Sequence, residues 1–469
     1  MKVAGRLKGA GFVFLAWVLL VPLAGAQQDA AGKTDRSAWK IGIAKANVTP
    51  DKFIFMAGYG GRKTPADGKL TNLWGKALAM QDAKGKRSVV ITLDLVGIDK
   101  ETSDRVCKTL KEKHGLERSQ IAICTSHTHT GPVVNRCLGP LHYWNLDEKQ
   151  RGMIEEYAGV LHDKVVDAAG KALADLKPAT VQWGNGKAVF AVNRRENKPY
   201  SKVPEWREKG LLKGPVDHDV PVLSVRDPES GKVRAVLFGY ACHSTCLSVM
   251  QWSGDYPGFA QIELEKRYPG ATALFWAGCG ADQNPLPRKT VELAMDYGAD
   301  LAKAVADVVQ SPMSVLEASL QTDYLEVPAK LAHLPSKAEL EELLKSKNIY
   351  DVASAKLYLS EIEKNGSLIK TYPYPVEVWK LGNEIDFVFL GGEVVVDYAL
   401  RLKREMSGQR TWVAAYSNDV MAYIPSLRVL KEGGYEGGGS NKYYGLPGLW
   451  DESMEDQVIK AVKEMAAGK

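Results

Sequence analysis

The sequence predicts an α/β protein with mixed β-sheets flanked by helices, and three observations predict it. Apolar runs of strand length recur along the chain, bounded by clusters of Gly, Pro and Asp. Between them lie segments whose apolar residues fall three or four apart, the period of an amphipathic helix. The composition, 45% hydrophobic and 25% charged, is that of an ordinary soluble globular protein rather than a fibrous or disordered one.

Residues 1–26 are expected to lie outside the fold as a signal peptide. Lys2, Arg6 and Lys8 give a basic start, Phe12 to Leu23 is mostly apolar, and Ala24-Gly25-Ala26 has the small-x-small form of a cleavage site. The apolar run is shorter than the roughly 20 residues a membrane span needs. No Cys stands near the cleavage point to carry a lipid. Export to the periplasm or the extracellular space follows, with an uncleaved anchor as the alternative. Residues 27–38 read as a polar tether and 39–469 as one large domain, although length alone also admits two.

Within that domain Ser88 to Ile98 reads as a strand, Glu101 to His114 as a helix and Gln120 to Cys124 as a second strand. A long helix runs from Asp147 to Leu176, with Ile154, Tyr157, Leu161, Val165, Ala168 and Ala172 on one face and Pro178 ending it. Val220 to Arg226 and Val233 to Tyr240 are strands joined by the turn Asp227-Pro-Glu-Ser-Gly231. After Pro257 come a helix, the strand Ala271 to Trp276 and a helix over Lys289 to Val309. Glu339 to Lys364 is charged and helical, more in keeping with a solvated helical pair than with a substrate lid. Strands near Val376 and Ile385, a helix over Val394 to Arg404, a strand at Thr411 to Tyr416 and a helix from about Glu452 complete the chain.

Charge and cysteine content exclude some function classes. The formal charge of +5 includes the basic leader, and Lys and Arg are scattered, so no nucleic-acid partner is implied. No obligate protein partner is evident. The six Cys could pair in an exported protein, yet Cys124 and Cys242 sit in apolar runs that suit free buried thiols equally. Cys242-x-x-x-Cys246 has no second half, so a Cys-ligated metal is not expected.

The chemistry-bearing residues stand at the ends of these strands, where sites of α/β proteins collect. Thr125-Ser-His-Thr-His-Thr-Gly-Pro132 places two of the chain's eight His directly after a strand. Two hydrogen-bonded structural histidines could look the same, and the pair by itself leaves both interpretations open. His243 follows the run Val236 to Cys242, and Gly391-Gly392-Glu393 separates the strand at Ile385 from its helix. There a helix dipole would hold the Glu393 carboxylate ionised. Ser253 to Gly258 is a turn before a helix, and Gly278 to Pro285 is a glycine-bearing bend that lets backbone approach closely. Jointly the His and the carboxylate form a plausible set for a hydrolytic zinc with an open position for water.

In order, these motifs resemble the catalytic domain of the neutral (non-lysosomal) ceramidases. The resemblance rests on Ile41 to Pro50, Gly58-Tyr59, Ser126 to Pro132, Asn193-Arg194-Arg195 and Val216-Asp-His-Asp219. It continues through Cys242-His-Ser-Thr245, Ser253 to Gly258, Gly392-Glu393, Asn418 to Tyr423 and Tyr435-Glu436-Gly437, spanning essentially the whole chain after the tether. It implies a single catalytic domain of that type and a zinc ion held by His127, His243, Glu393 and Tyr423. His129 would move or orient a proton, Arg194 would contact the substrate or a developing oxyanion, and Tyr435 would assist. The implied activity is hydrolysis of an N-acyl amide, ceramide or a related compound, with at most transient contact with a membrane surface. Two departures qualify it. A Ser in the family's G-D-x-S-P loop is replaced by Asn284 in Ala281-Asp-Gln-Asn284-Pro285, which favours water over a side-chain nucleophile. The chain also stops where longer members continue into an immunoglobulin-like domain, so smaller or more polar N-acyl amides are expected to be better substrates than ceramides. A zinc hydrolase acting on a non-lipid amide or ester, or a binding protein that kept the scaffold, are the alternatives.

Overall fold

The computed structural model describes residues 39–468; the expected leader and the whole of the tether fall outside them. Along the chain the main elements are β1 (Trp39–Asn47), β2 (Trp74–Gln81), β3 (Arg87–Leu93), α1 (Lys100–His114), β4 (Ile121–Thr125), α2 (Glu148–Ala174) and β5 (Lys177–Lys187). They continue with β6 (Asp219–Arg226), β7 (Val233–Tyr240), α3 (Asp255–Arg267), β8 (Thr272–Ala277) and α4 (Val291–Gln310). The last third adds β9 (Leu320–Ala332), α5 (Lys337–Leu343), α6 (Ile349–Asn365), β10 (Thr371–Leu381), β11 (Ile385–Leu390), α7 (Val396–Glu405), β12 (Thr411–Ala414) and α8 (Met454–Ala466).

Two mixed sheets pack face to face with helices outside them. The larger runs β8-β7-β6-β5-β1-β2-β3-β4, with Ser314–Val315 beside β5, and the smaller runs β12-β11-β10-β9 and ends at Leu449–Trp450. Parallel pairs occur where a helix carries the chain back, between β3 and β4 through α1 and between β7 and β8 through α3. Between the sheets lies an aromatic core of Trp39, Trp276, Trp379, Trp412, Phe387 and Phe389. The other face of the larger sheet is covered by α1 to α4 and that of the smaller by α8, so each strand is buried on the side its apolar residues face.

The expected α/β class with mixed, helix-covered sheets is what the chain adopts. Several boundaries differ for physical reasons. The strand expected to reach Ile98 stops at Leu93 because the Asp94 carboxylate turns back to accept the Trp74 N–H. α2 ends before Pro178, at Ala174, with Asp175 as the capping residue whose carboxylate accepts the Ile43 N–H; Pro178 lies inside β5. α3 starts at Asp255, ahead of Pro257, which sits in the first turn where a missing N–H costs nothing. The charged stretch after residue 336 is a pair of helices, α5 and α6, with a small core of Leu340, Ala355, Tyr358 and Leu368. All six Cys are buried and free, so no disulfide staples the fold.

β1, β2, β5 and β9 carry no strand signal of their own in the sequence. In β5, Pro178, Gly184 and Gly186 speak against a strand. The glycines are needed because α4 crosses there: a Cβ on Gly184 would lie 2.8 Å from Val308 Cγ1, and one on Gly186 2.9 Å from the Ala304 carbonyl. The bend after β8 is tighter still. A Cβ on Gly280 would meet the Cys242 main-chain nitrogen at 2.5 Å, and backbone cannot step aside. Gly280→Ala should therefore destabilise the protein by about 1–3 kcal/mol through overpacking, read as a lowered urea midpoint, whereas Gly61→Ala, with open space around it, should leave the midpoint nearly unchanged.

Candidate active site

Four strand ends meet at one buried point. His127 lies two residues beyond β4 and His243 three beyond β7; Glu393 follows β11 and Tyr423 follows β12. Glu393 and Tyr423 stand opposite each other in a two-residue parallel pairing. The path from β11 into that pairing requires Gly392, whose φ is 74° and whose added Cβ would meet the Ala422 carbonyl at 2.7 Å. His127 is itself in the left-handed region, φ 57°, stacked on Tyr416 at 4.3 Å between ring centres.

Main-chain carbonyls fix both rings. Nδ1 of His127 is 2.6 Å from the Val96 carbonyl and Nδ1 of His243 is 2.8 Å from the Gly280 carbonyl. A carbonyl only accepts, so each Nδ1 carries the proton and each Nε2 presents a lone pair. Those Nε2 atoms face Glu393 Oε2 at 3.3 and 3.1 Å. Among the described residues that oxygen has no hydrogen-bond donor, although Glu393 Oε1 accepts from the Tyr444 hydroxyl. The Tyr423 hydroxyl completes the cluster, 3.2 Å from His243 Nε2.

Burial lowers the His243 pKa to about 4, aided by the Arg194 charge, so the ring is neutral near pH 7. Burial opposes ionisation of Glu393, and positive charge on the facing imidazoles would hold its carboxyl well below the usual range; with both Nε2 lone pairs turned to it that help is missing, and a cation at the cluster would supply it. The expected cause, a helix dipole, is not the operative one: α7 begins only at Val396, and Glu393 lies in a short strand.

His129 places Nε2 3.0 Å from His127 Nε2, while its Nδ1 has no partner among the described residues. Burial first, and then the neighbouring imidazoles, push its pKa well below the ordinary histidine value. The ring packs on Tyr59 at 4.7 Å between ring centres, and a side chain on Gly58 would collide with it. The Gly58 N–H donates to His142 Nε2 at 2.9 Å, and Arg62 Nη1 donates to the His129 carbonyl at 2.7 Å. His127, His129 and His243 could all reach one ion, their nearest ring nitrogens lying within 4.8 Å of one another.

Arg194 spans the other side. It donates to Glu436 Oε1 at 2.7 Å, to Asn284 Oδ1 at 3.4 Å and to the Tyr423 hydroxyl at 3.0 Å. Tyr435 stands 5.3 Å from the Tyr423 ring centre and is 46% exposed, at the mouth of a cleft of about 410 Å³. Every site residue expected from the sequence thus falls in one cluster. Tyr444, Tyr416, Arg62 and His142 were not anticipated; nothing in Asn441-Lys-Tyr-Tyr444 signals a site, whereas Glu436 sat unassigned inside a recognised motif.

The model of the neutral/alkaline non-lysosomal ceramidase family, N-terminal part, matches residues 39–285. That stretch holds His127, His129, Arg194, His243 and Asn284 but not Glu393, Tyr423 or Tyr435. The chain is 25% identical over 252 residues to a neutral ceramidase of Pseudomonas aeruginosa, covering 52% of this chain and 36% of that protein. It is 23% identical over 256 residues to the neutral ceramidase of Drosophila melanogaster, covering 52% of this chain and 35% of that one. These alignments span little more than a third of the relatives' length. Among solved structures, the P. aeruginosa neutral ceramidase superposes with a TM-score of 0.68 at 19% identity, covering 92% of this chain and 74% of its own. A ceramidase complexed with C2 gives 0.69 at 18%, covering 92% and 75%.

His142 supplies a pH test of this packing. Burial, with help from Arg62, lowers its pKa to about 3, below the unfolded value of about 6.5. Protons then bind the unfolded chain more readily, so its share of stability is full above pH 6.5 and falls as pH drops toward 3. Between pH 7.5 and 5 the loss is about 2 kcal/mol. Urea unfolding should show His142→Gln losing less stability over that interval than the unaltered chain; an identical loss in both would contradict the assignment.

Proposed function

The chain belongs to the neutral/alkaline non-lysosomal ceramidase family, and from that premise we propose that it is an exported zinc-dependent hydrolase cleaving the amide bond of an N-acyl compound, ceramide or a relative of it. The observation that carries the metal is the facing of two imidazole lone pairs and a carboxylate oxygen with no donor between them. Without a cation these groups repel; with one, each is a ligand of a type zinc accepts. His127, His243, Glu393 and Tyr423 would hold it, and the Tyr444 hydroxyl on Glu393 Oε1 would orient the carboxylate. When bound, zinc would polarise the amide carbonyl and make water a stronger nucleophile at neutral pH.

The chain's own groups supply the rest. His129, held neutral by burial and presenting Nε2 to the cluster 3.0 Å from His127 Nε2, can take the proton of the attacking water there and deliver it to the departing amine. Arg194 is held in place by Glu436 and aimed at the Tyr423 hydroxyl, where it can stabilise negative charge growing on the carbonyl oxygen. Asn284 can hydrogen-bond the substrate but cannot form an acyl-enzyme. Tyr435 at the mouth can contact the bound amide. Export is supported by the basic, apolar and small-residue pattern of residues 1–26.

A panel of N-acyl amides hydrolysed with and without a chelator tests the proposal; removal of metal should abolish turnover and zinc should restore it. His243→Ala should lose most of the bound metal. A metal-independent activity of equal rate would overturn the zinc assignment. Among substrate-side residues, His129→Ala and Arg194→Ala should each cost about a hundredfold or more in kcat, and Asn284→Ala clearly less. Mass spectrometry during turnover should find no acylated protein, since a trapped acyl adduct would contradict attack by water.

A further inference from the structure

We infer that the amine half of the substrate carries an anionic group, a carboxylate foremost, held by Arg288 and Lys198, so that an N-acyl amino acid fits this site better than a neutral lipid amide. The inference rests on the amidase function proposed above and names its substrate class. The cleft beside the candidate metal centre is walled by Arg194 and Asn284 at its inner end and also by Arg195, Lys198, Glu196, Arg288, Glu432 and Glu436. Its only aromatic walls are Tyr200 and Tyr435. An alkyl chain entering it would strip water from charged groups and return nothing. The polar half of an N-acyl amide is therefore the half that enters.

The charges in the cleft are unequally committed. Arg194 and Arg195 both bind Glu436, at 2.7 Å each, and Arg195 also binds Glu432 at 2.9 Å. Glu196 is exposed and packs its stem against Gly214. Arg288 and Lys198 form no ion pair with any described residue. Arg288 is half-buried, and its one protein hydrogen bond runs from Nη1 to the Thr245 carbonyl at 3.3 Å. That bond anchors it two residues from His243, with the rest of its donors unspent. A planar guanidinium with free donors is the group that takes a carboxylate in two parallel hydrogen bonds. Lys198, exposed and lining the same cleft, adds a second positive charge.

The test compares N-decanoylglycine with N-decanoylethanolamine, which share the acyl chain and differ in the charge of the amine half, using the zinc-loaded full chain. The expected result is a kcat/KM at least about tenfold higher for the glycine conjugate, the size of one hydrogen bond to a charged group, expressed mainly in KM and shrinking as salt is raised. Arg288→Gln should bring the ratio of the two substrates close to one, Arg288→Lys should keep part of it, and Lys198→Gln should reduce it less. Equal rates for the two substrates, or an Arg288→Gln variant that slows both alike, would overturn the inference. Calorimetric binding of the same two compounds separates it from the amidase proposal. Tighter binding of the glycine conjugate without hydrolysis would sink the amidase function and leave the anion site standing; equal binding would sink the anion site.

Discussion

The segment Ala414–Asn418 hydrogen-bonds to both edges of the larger sheet, and the placement of the site follows from that. The Ala415 N–H donates to the Ala277 carbonyl at the end of β8, and the Asn418 N–H to the Ile123 carbonyl in β4. Between them the Tyr416 carbonyl accepts from Thr125, and its N–H donates to Gly392. One short stretch of backbone thereby draws the ends of β4, β8, β11 and β12 together, and the Tyr416 ring becomes the floor under His127. Unpaired, these buried edge groups would each cost free energy comparable to a lost hydrogen bond, so the closure is strongly favoured once the aromatic core has formed.

At that convergence the polar groups are satisfied in pairs that point outward from the centre, leaving the inner faces bare. His127 and His243 direct their N–H groups to carbonyls, Glu393 takes the Tyr444 hydroxyl on one oxygen only, and Arg194 is clamped by Glu436. Burial pushes the Tyr423 phenol well above its ordinary pKa while the Arg194 charge pulls against it. A bound cation would act in the same direction as Arg194 and relieve the repulsion among the remaining lone pairs. The shell that holds the residues is therefore more complete than the centre it surrounds, which is how a preorganised metal site is built.

Much of this was legible in the chain. Strand-end histidines after apolar runs located His127, His129 and His243, and family resemblance added Tyr423 and Arg194, which no local pattern would have singled out. The helices and the strands β3, β4, β6, β7, β8, β10, β11 and β12 followed from the apolar patterning. β5 did not, because its glycines serve a helix crossing that only the tertiary structure reveals. Nor did the end of β3, where Asp94 turns the chain and frees the Val96 carbonyl for His127. Tyr444 and His142 act through contacts with residues more than 50 positions away, and their surroundings in sequence carry no pattern to read.

The central claim is that His127, His243, Glu393 and Tyr423 share one zinc ion. Its most direct test is diffraction from crystals of the purified protein collected on both sides of the zinc absorption edge. The account predicts a single anomalous peak at the buried cluster, within about 2.0–2.2 Å of His127 Nε2, His243 Nε2 and a Glu393 oxygen, with the Tyr423 hydroxyl oxygen as its fourth protein neighbour and His129 outside the coordination shell. A peak bound by His129 in place of Glu393 or Tyr423, or zinc-replete crystals with no peak at this cluster, would contradict it.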